Sequence, residues 1–402
     1  MKIIEKKYLL PFCLVTALFL LWGIAANMTD TLLSAFRKIM SMNDLQTSLI
    51  QFAFYGSYFC FALPAALYIR KYSYKSGIIL GLVLYSAGAI LFLPAAKTAS
   101  YVFYLVAIYI MAGGCSILET TANPYILSMG SSETATRRLN IAQSFNPIGC
   151  ITGILLSKYF ILNDISLDSI SGTYMSLGFA LLVILLVMIV SNMPEGKDAD
   201  GSESIKSVFS RLFNRKRYVF GVIALFFYMG AQTGVWSYSI RLSMSELGCT
   251  ESQGATIYLI AVICFSVARF IFTWLMKWFN DSRLLAFAAA AGAILSVVVI
   301  FTSGSGWLCV AAMTIISFFM SLMFPTIYGI SLKNIESSSS GGVAGDAKIA
   351  ASGLIMAILG GAVITPLQGL VSDVAGINIS FVVPVFCFIV VLAFAAYSDR
   401  SM

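Results

Sequence analysis

Long apolar runs recur along the whole chain, and they constrain its fold more than any other feature. Each run is about 20 residues long, which is the length that a helix needs to cross the hydrocarbon core of a bilayer. Of the 402 residues, 59% are hydrophobic and 11% are charged, whereas a soluble domain carries about 25% charged residues. The short segments of alternating polarity that are typical of a membrane β-barrel do not occur in the sequence. The sequence therefore predicts an all-α polytopic membrane protein.

Twelve membrane spans are predicted, in two sets of six. Gly, Pro, Ser and Asn cluster between the runs, as expected of loops. The predicted spans are 9–33, 45–69, 76–96, 100–128, 139–162, 171–193, 218–242, 253–276, 283–302, 307–331, 348–371 and 377–397. The longest polar segment, Ser191 to Arg217, divides the chain nearly in half. We therefore predict an N-terminal six-helix bundle at 1–193, a cytoplasmic linker at 194–217 and a C-terminal six-helix bundle at 218–402. A weak repeat between the halves supports this division.

Lysine and arginine predict the orientation of the spans. If the N-terminus is cytoplasmic, nineteen of the 25 basic residues fall in cytoplasmic segments, five fall outside, and Arg269 lies within a span. Such an excess favours both termini in the cytoplasm. The first apolar run is longer than that of a signal peptide, and no A-x-A site ends it, so it is interpreted as a retained span. A multi-pass protein of the cytoplasmic (inner) membrane is expected.

Histidine is absent, and the eight cysteines are scattered without metal-ligand spacing. No metal site and no cofactor are therefore predicted. The net charge of +7 lies mostly in short loops, where it orients the protein, so a nucleic-acid partner is not expected. Any group that titrates inside the membrane must be an aspartate or a glutamate.

Two acids, Asp30 and Glu119, lie inside apolar runs. A charge at that depth costs roughly 2.5–3.5 kcal/mol on insertion scales, so an acid there is a candidate functional residue. Trp22 and Asp30 share one face of the first span, and Asn27 borders that face. An indole, an amide and a carboxylate on one face suit a sugar, whose ring faces stack on aromatics and whose hydroxyls bond to polar groups. The alternative is a polar seam that only joins helices.

In the fourth span Glu119 and Asn123 are one turn apart, and Pro124 follows. The proline frees a backbone carbonyl and can kink the helix where a span lines a cavity. The alternative for Glu119 is a structural ion pair with Arg269 or with basic residues in the loops. Arg269 itself either extends towards the membrane surface or holds a contact between the halves.

Further polar and aromatic residues occur at helical spacing inside later spans. Candidates for sugar contact, besides Trp22, Asn27, Asp30 and Asn123, are Gln143 and Asn146 in span 5, Gln232 and Trp236 in span 7, and Phe324 and Tyr328 in span 10. For single aromatic residues the alternative is a side chain that faces lipid or the core.

Several of these residues stand in motifs that occur in order along both halves. The motifs are Trp22-Gly23-x-x-x-Asn27-x-x-Asp30, Leu118-Glu119-Thr120-Thr121-Ala122-Asn123-Pro124, Arg138-Leu139-Asn140-Ile141-Ala142-Gln143-Ser144-Phe145-Asn146, Gly230-Ala231-Gln232-Thr233-x-x-Trp236-Ser237-Tyr238, Pro325-Thr326-Ile327 and Thr365-Pro366. Together they resemble the fucose–galactose–glucose proton symporter branch of the major facilitator superfamily.

The resemblance implies the two-bundle facilitator fold and a proton-coupled symporter of a monosaccharide of the L-fucose, galactose or glucose type. It implies proton-coupling roles for Asp30 and Glu119, and cavity positions for Trp22, Asn27, Gln143 and Asn146. Phe324 stands where the family has a tyrosine, so a hydroxyl contact is lost unless Tyr328 supplies it.

The expected partners are the sugar, the proton and the bilayer, and a monomer is expected. Alternatives are a sodium-coupled or uncoupled facilitator and a transporter-like nutrient sensor. An intramembrane enzyme is not expected, because the motifs of an aspartyl protease and the histidines of a metalloprotease are absent.

Overall fold

A computed structural model describes residues 4–39, 44–162, 166–194, 204–336 and 344–400. Within these residues all regular structure is helical. The helices of the first half are α1 (Leu9–Ile39), α2 (Asp44–Lys71), α3 (Tyr74–Ile90), α4 (Phe92–Thr98), α5 (Tyr101–Ser128), α6 (Ala135–Gln143), α7 (Asn146–Ser157) and α8 (Leu167–Val190). Those that follow are α9 (Ile205–Asn214), α10 (Lys216–Leu247), α11 (Glu251–Leu275), α12 (Asp281–Phe301), α13 (Trp307–Met320), α14 (Met323–Glu336), α15 (Ala344–Met356), α16 (Gly360–Ala375) and α17 (Val382–Arg400).

Twelve helical segments among the described residues are long and apolar enough to cross a membrane, which confirms the predicted all-α polytopic fold. Helices dominate because the hydrocarbon core offers no water to the backbone, so each segment must satisfy its own polar groups. Polar residues determine where several of the helices begin. The side chains of Ser73, Ser166 and Thr250 accept hydrogen bonds from the first turns of α3, α8 and α11.

Lipid-facing surface is recognisable on individual helices. On α8 the large apolar side chains Phe179, Val183, Leu186 and Val190 recur at helical spacing, and all four are exposed. A soluble protein rarely exposes a continuous apolar stripe of this kind. The stripe is the face that the acyl chains of a bilayer would cover.

Among the described residues, spans 3, 5 and 10 are interrupted next to a proline, and the last two carry candidate sugar residues. Span 5 consists of α6 and α7, with Pro147 at the start of α7, and span 10 consists of α13 and α14, with Pro325 at the start of α14. A proline has no N–H, so it cannot bond to the carbonyl four residues earlier. Those carbonyls belong to Gln143 and Ser321. Pro124, in contrast, lies inside the continuous helix α5.

By their contacts the residues form two compact units. The first unit comprises Met1–Ser132, Ile148–Val208 and Ile335–Met356, and the second comprises Glu133–Pro147, Phe209–Asn334 and Ala357–Met402. The predicted bundles at 1–193 and 218–402 and the linker at 194–217 stay a prediction.

Each unit contains a very close helix crossing that has a counterpart in the other unit. In the first unit, a Cβ added to Gly149 of α7 would collide with the Leu20 carbonyl oxygen of α1. In the second unit, a Cβ added to Gly360 of α16 would collide with the Phe226 carbonyl oxygen of α10. Only glycine lets the two backbones of each pair approach this closely. The helices belong to spans 1 and 5 and to spans 7 and 11, the equivalent members of two six-span repeats.

One turn further along, the two crossings differ in which of the two helices carries the glycine. In the first unit Gly153 of α7 faces the main chain of Ile24 on α1, whereas in the second unit Ile364 of α16 packs on Gly230 of α10. Each pair therefore contains one glycine and one isoleucine, but on opposite partners. The backbones stay close in both.

A carboxylate organises one end of the second unit. Glu246, near the end of α10, accepts hydrogen bonds from the backbone N–H groups of Gly304 (3.0 Å) and Gly306 (3.2 Å) and from Nδ2 of Asn378 (2.8 Å). Both glycines have positive φ angles, +77° and +61°, a conformation that other residues adopt at a cost. Glu246 thus joins the loop between α12 and α13 to the segment after α16.

Glu246→Ala is therefore expected to lower the midpoint of thermal unfolding in detergent by about 3–6 °C, because hydrogen bonds to a charged group contribute more than neutral ones. Asp399→Ala is the matched control, since Asp399 forms an exposed ion pair with Arg283 (3.3 Å). Such a pair contributes about 0–1 kcal/mol. Equal shifts in the two variants would show that the network around Glu246 is not structurally important.

Candidate functional site

A buried acid lies in the middle of α5. The Glu119 side chain is 7% exposed and that of Asn123, one turn on, is fully buried. The carboxyl group and the Asn123 amide interact. The phenol of Tyr58 on α2 and the thiol of Cys115 are close enough to interact electrostatically with the same carboxyl group. A carboxyl group in such a place carries the desolvation cost of its charge until a proton neutralises it.

Trp22 on α1 is buried next to a contact between α1 and α3. The Trp22 ring is buried and lies 4.3 Å from the ring of Phe19. The hydroxyl of Tyr85 on α3 donates a 2.9 Å hydrogen bond to the carbonyl of Leu21. This bond joins α3 to α1 one residue before Trp22.

Asn27 and Asp30 lie further along α1. Asn27 is buried, and its amide donates to the Gly23 carbonyl at 3.2 Å within the helix. The backbone is helical from Trp22 to Asp30, as the predicted shared face requires. The side chain of Asp30 lies outside the described part of the structure, so its role stays a prediction.

In the second unit, one face of α6 is polar. Thr136, Asn140 and Gln143 recur at the spacing of one helix face and are all buried. Nδ2 of Asn140 donates to Oγ1 of Thr326 on α14 at 3.4 Å, and Thr136 bonds to Asp281 at the start of α12. This face thus packs against helices of the second unit. Asn146, at the start of α7, is partly exposed.

Aromatic residues form the other candidate surface of the second unit. Trp236 on α10 donates from Nε1 to Oγ of Ser317 at 3.2 Å, and its ring meets Phe265 edge-on at 5.1 Å. Gln232, one turn earlier, is partly exposed. The rings of Phe324 and Tyr328 lie 6.3 Å apart and nearly parallel. Tyr328 is fully buried, and whether its hydroxyl replaces the missing tyrosine contact stays a prediction.

The structure thus places the predicted residues in two groups. Trp22, Asn27, Glu119 and Asn123 belong to the first unit, and Gln143, Asn146, Gln232, Trp236, Phe324 and Tyr328 belong to the second. In the first group, Tyr85 connects the helices, because it bonds to α1 and its backbone packs against Gly114 of α5.

Three polar residues at these sites were not predicted. Tyr58 and Tyr85 gave no signal, because a tyrosine in an apolar run resembles one that faces the membrane interface. Gln368 on α16 is fully buried against Gly234, and its amide makes no hydrogen bond within the described residues. Its only sequence signal is its place directly after the Thr365-Pro366 motif and Leu367.

Comparison with known proteins gives matches over nearly the whole chain. A model described as the Major Facilitator Superfamily matches residues 11–358. The L-fucose-proton symporter of Haemophilus influenzae is 39% identical, covering 100% of this chain and 98% of that protein. The L-fucose-proton symporter of Escherichia coli is 34% identical, with 99% and 95% covered. The glucose/galactose transporter of Brucella abortus is 30% identical, with 99% and 96% covered.

Solved structures of transporters also match this chain over nearly its whole length. The crystal structure of the transporter FucP in the outward conformation has a TM-score of 0.87 and 34% identity, and the match covers 98% of this chain and 99% of that one. A proton:xylose symporter has a TM-score of 0.72 at 13% identity, with 96% and 94% covered. At that identity the likeness concerns the fold alone.

Proposed function

This chain belongs to the Major Facilitator Superfamily, and on that basis we propose that it is a proton-coupled symporter of a monosaccharide of the L-fucose, galactose or glucose type. The membership predicted from the motifs, in the fucose–galactose–glucose proton symporter branch, is confirmed. These relatives, including the L-fucose permeases that the motifs resemble, are transporters and not enzymes.

The observation that carries the proposal is the buried carboxyl group of Glu119 within a span. The charged form of this group is costly in its apolar surroundings, so proton binding changes the free energy of the site strongly. Coupling requires that the proton alter sugar affinity or the balance between inward-open and outward-open states. Glu119, together with Asp30, is proposed to take up a proton with the sugar from outside and to release it inside.

Two kinds of surface are proposed to contact the sugar. The indoles of Trp22 and Trp236 and the ring of Phe324 offer flat apolar faces to the sugar ring. Amides and hydroxyls offer partners to the sugar hydroxyls, and they belong to Asn27, Asn123, Gln143, Asn146, Gln232 and Tyr328, with the carboxyl of Asp30. The missing tyrosine at Phe324 bears on which sugar is preferred, because a site built to bond a hydroxyl rejects an analogue without it.

The protein is proposed to lie in the cytoplasmic (inner) membrane as a monomer with both termini in the cytoplasm. The excess of basic residues in the segments assigned to the cytoplasm supports this orientation.

The direct test is uptake of radiolabelled L-fucose, galactose, glucose and mannose into proteoliposomes, with and without an inward proton gradient. Accumulation that a protonophore abolishes is the expected result, and it identifies the sugar. Equilibration of a sugar that ignores the gradient would replace the proposal with an uncoupled facilitator. Accumulation that follows a sodium gradient would replace it with a sodium symporter.

Trp22→Ala is expected to raise the KM for sugar exchange about tenfold, since a lost stacking surface is worth on the order of 1 kcal/mol or more. Trp22→Phe retains a ring and should raise KM less. Trp278→Ala is the control, because Trp278 is 54% exposed and follows the end of α11. Wild-type KM in Trp22→Ala would remove Trp22 from the sugar site.

A further inference from the structure

Arg269 is buried in the apolar helix α11 and is only 3% exposed. Its Nε donates a 2.6 Å hydrogen bond to the carbonyl of Ser321, and its Nη1 donates a 2.9 Å bond to the carbonyl of Gln143. The guanidinium also lies 4.7 Å from the ring centre of Phe265. An arginine inside a membrane span is costly unless such groups neutralise or solvate it.

The two carbonyls that Arg269 bonds are those whose usual helix donor, the N–H four residues later, is replaced by a proline. In a regular helix the carbonyl of Gln143 would accept from the N–H of residue 147, and that of Ser321 would accept from residue 325. Both positions are proline, which has no N–H. A buried carbonyl without a partner costs about 1–3 kcal/mol. One side chain therefore repairs two helix interruptions, each in a different span.

We propose that Arg269 is a positioning residue that fixes the breaks in spans 5 and 10 by replacing the hydrogen bonds that Pro147 and Pro325 remove. Each break borders candidate sugar residues. Gln143 and Asn146 flank the first, and Phe324 follows the second. Phe265 extends the arrangement, because it contacts both the guanidinium and the ring of Trp236. The effect on sugar rests on the proposed function, whereas the effect on the two breaks does not.

Arginine suits this task better than lysine. Its planar fork presents several N–H groups in fixed directions, so one side chain serves carbonyls of two helices at once. The carbonyls also lie at the C-terminal ends of α6 and α13, where a positive charge is favoured by the helix dipole. Lysine would retain the charge but hold the two bonds less well.

The test combines amide hydrogen exchange by mass spectrometry with sugar exchange kinetics. In Arg269→Met, exchange is expected to rise about tenfold in peptides that span residues 143–150 and 320–328, as the loss of a charge-assisted bond implies. Exchange in the α12 peptide should not change. KM for sugar should rise about tenfold while the maximal rate changes less than about twofold. In Arg269→Lys, both the hydrogen exchange at the two breaks and the KM for sugar should lie between the values for the wild type and for Arg269→Met. The control Arg283→Met, which removes an exposed arginine, should behave as wild type.

The decisive variant is Arg269→Met with Pro147→Ala and Pro325→Ala. Alanine restores both N–H groups, so the helices should satisfy their own carbonyls and exchange at both breaks should return towards the wild-type rate. No rescue by the two alanines, wild-type exchange in Arg269→Met, or an equal rise in every span would overturn the proposal. If Arg269→Met does not fold, the same comparison is made with Arg269→Lys. If the wild type transports no sugar, the proposed function fails, but the exchange result still decides the role of Arg269.

Discussion

Glu119→Gln is expected to abolish uphill sugar uptake while sugar exchange continues. Glutamine has nearly the shape of the protonated acid and cannot ionise, so the variant behaves as a transporter whose proton never leaves. The sugar should still bind, and the Asn123 amide retains a partner at position 119. Without a change in protonation, the proton gradient no longer drives the cycle in one direction.

The measurement is the ratio of internal to external sugar in proteoliposomes under an inward proton gradient, together with counterflow without a gradient. In Glu119→Gln the ratio should fall to about one, because coupling is lost, while counterflow stays within about twofold of wild type. Glu133→Gln is the control, since Glu133 is exposed after the end of α5. Continued accumulation in Glu119→Gln would leave Glu119 with a structural role and assign coupling elsewhere.

Gly149→Ala is expected to cause a large loss of stability. The added methyl group would collide with the Leu20 carbonyl oxygen, which belongs to backbone and cannot rotate away as a side chain does. Overpacking costs about 1–3 kcal/mol or more, and here it would push α1 away from α7. Because Leu20 is two residues from Trp22, sugar affinity should fall as well.

Gly172→Ala on α8 is the matched control. An added Cβ there meets nothing within 4 Å, and alanine is the better helix former by about 1 kcal/mol. The two substitutions are chemically identical, so opposite shifts in the thermal unfolding midpoint would isolate the effect of the crossing. Equal shifts of the unfolding midpoint would show that α1 and α7 can move apart without loss of stability.

The span count could be predicted because each apolar run has the length of the hydrocarbon core, and this relation does not depend on tertiary contacts. The burial of Glu119 followed from its place in the middle of a run. The ends of the spans were predicted less accurately than their number. The first span was predicted to end at residue 33, but α1 continues to Ile39, because a helix need not stop where its apolar part stops.

The contacts of Arg269 could not be predicted from side-chain patterns, because two of its partners are main-chain carbonyls. The sequence left open whether Arg269 extends towards the membrane surface or holds a contact between the halves. The structure supports the second alternative, because the buried Arg269 bonds to the carbonyl of Gln143, in the first half of the chain, and to that of Ser321, in the second. The sequence nevertheless contained an indication of these contacts. Pro147 and Pro325 each imply a carbonyl without a helix partner four residues earlier, and a buried cation is a suitable donor for both.

The paired crossings have a consequence for how such chains change over evolutionary time. In the second unit Gly230 faces the side chain of Ile364, so the required space is a property of the pair, and a larger residue at one position is tolerated when the other becomes smaller. Residues at positions 230 and 364 should therefore covary among relatives. In the first unit Gly153 faces the main chain of Ile24, which no substitution on α1 removes. Position 153 should therefore stay glycine among relatives whatever residue stands at position 24.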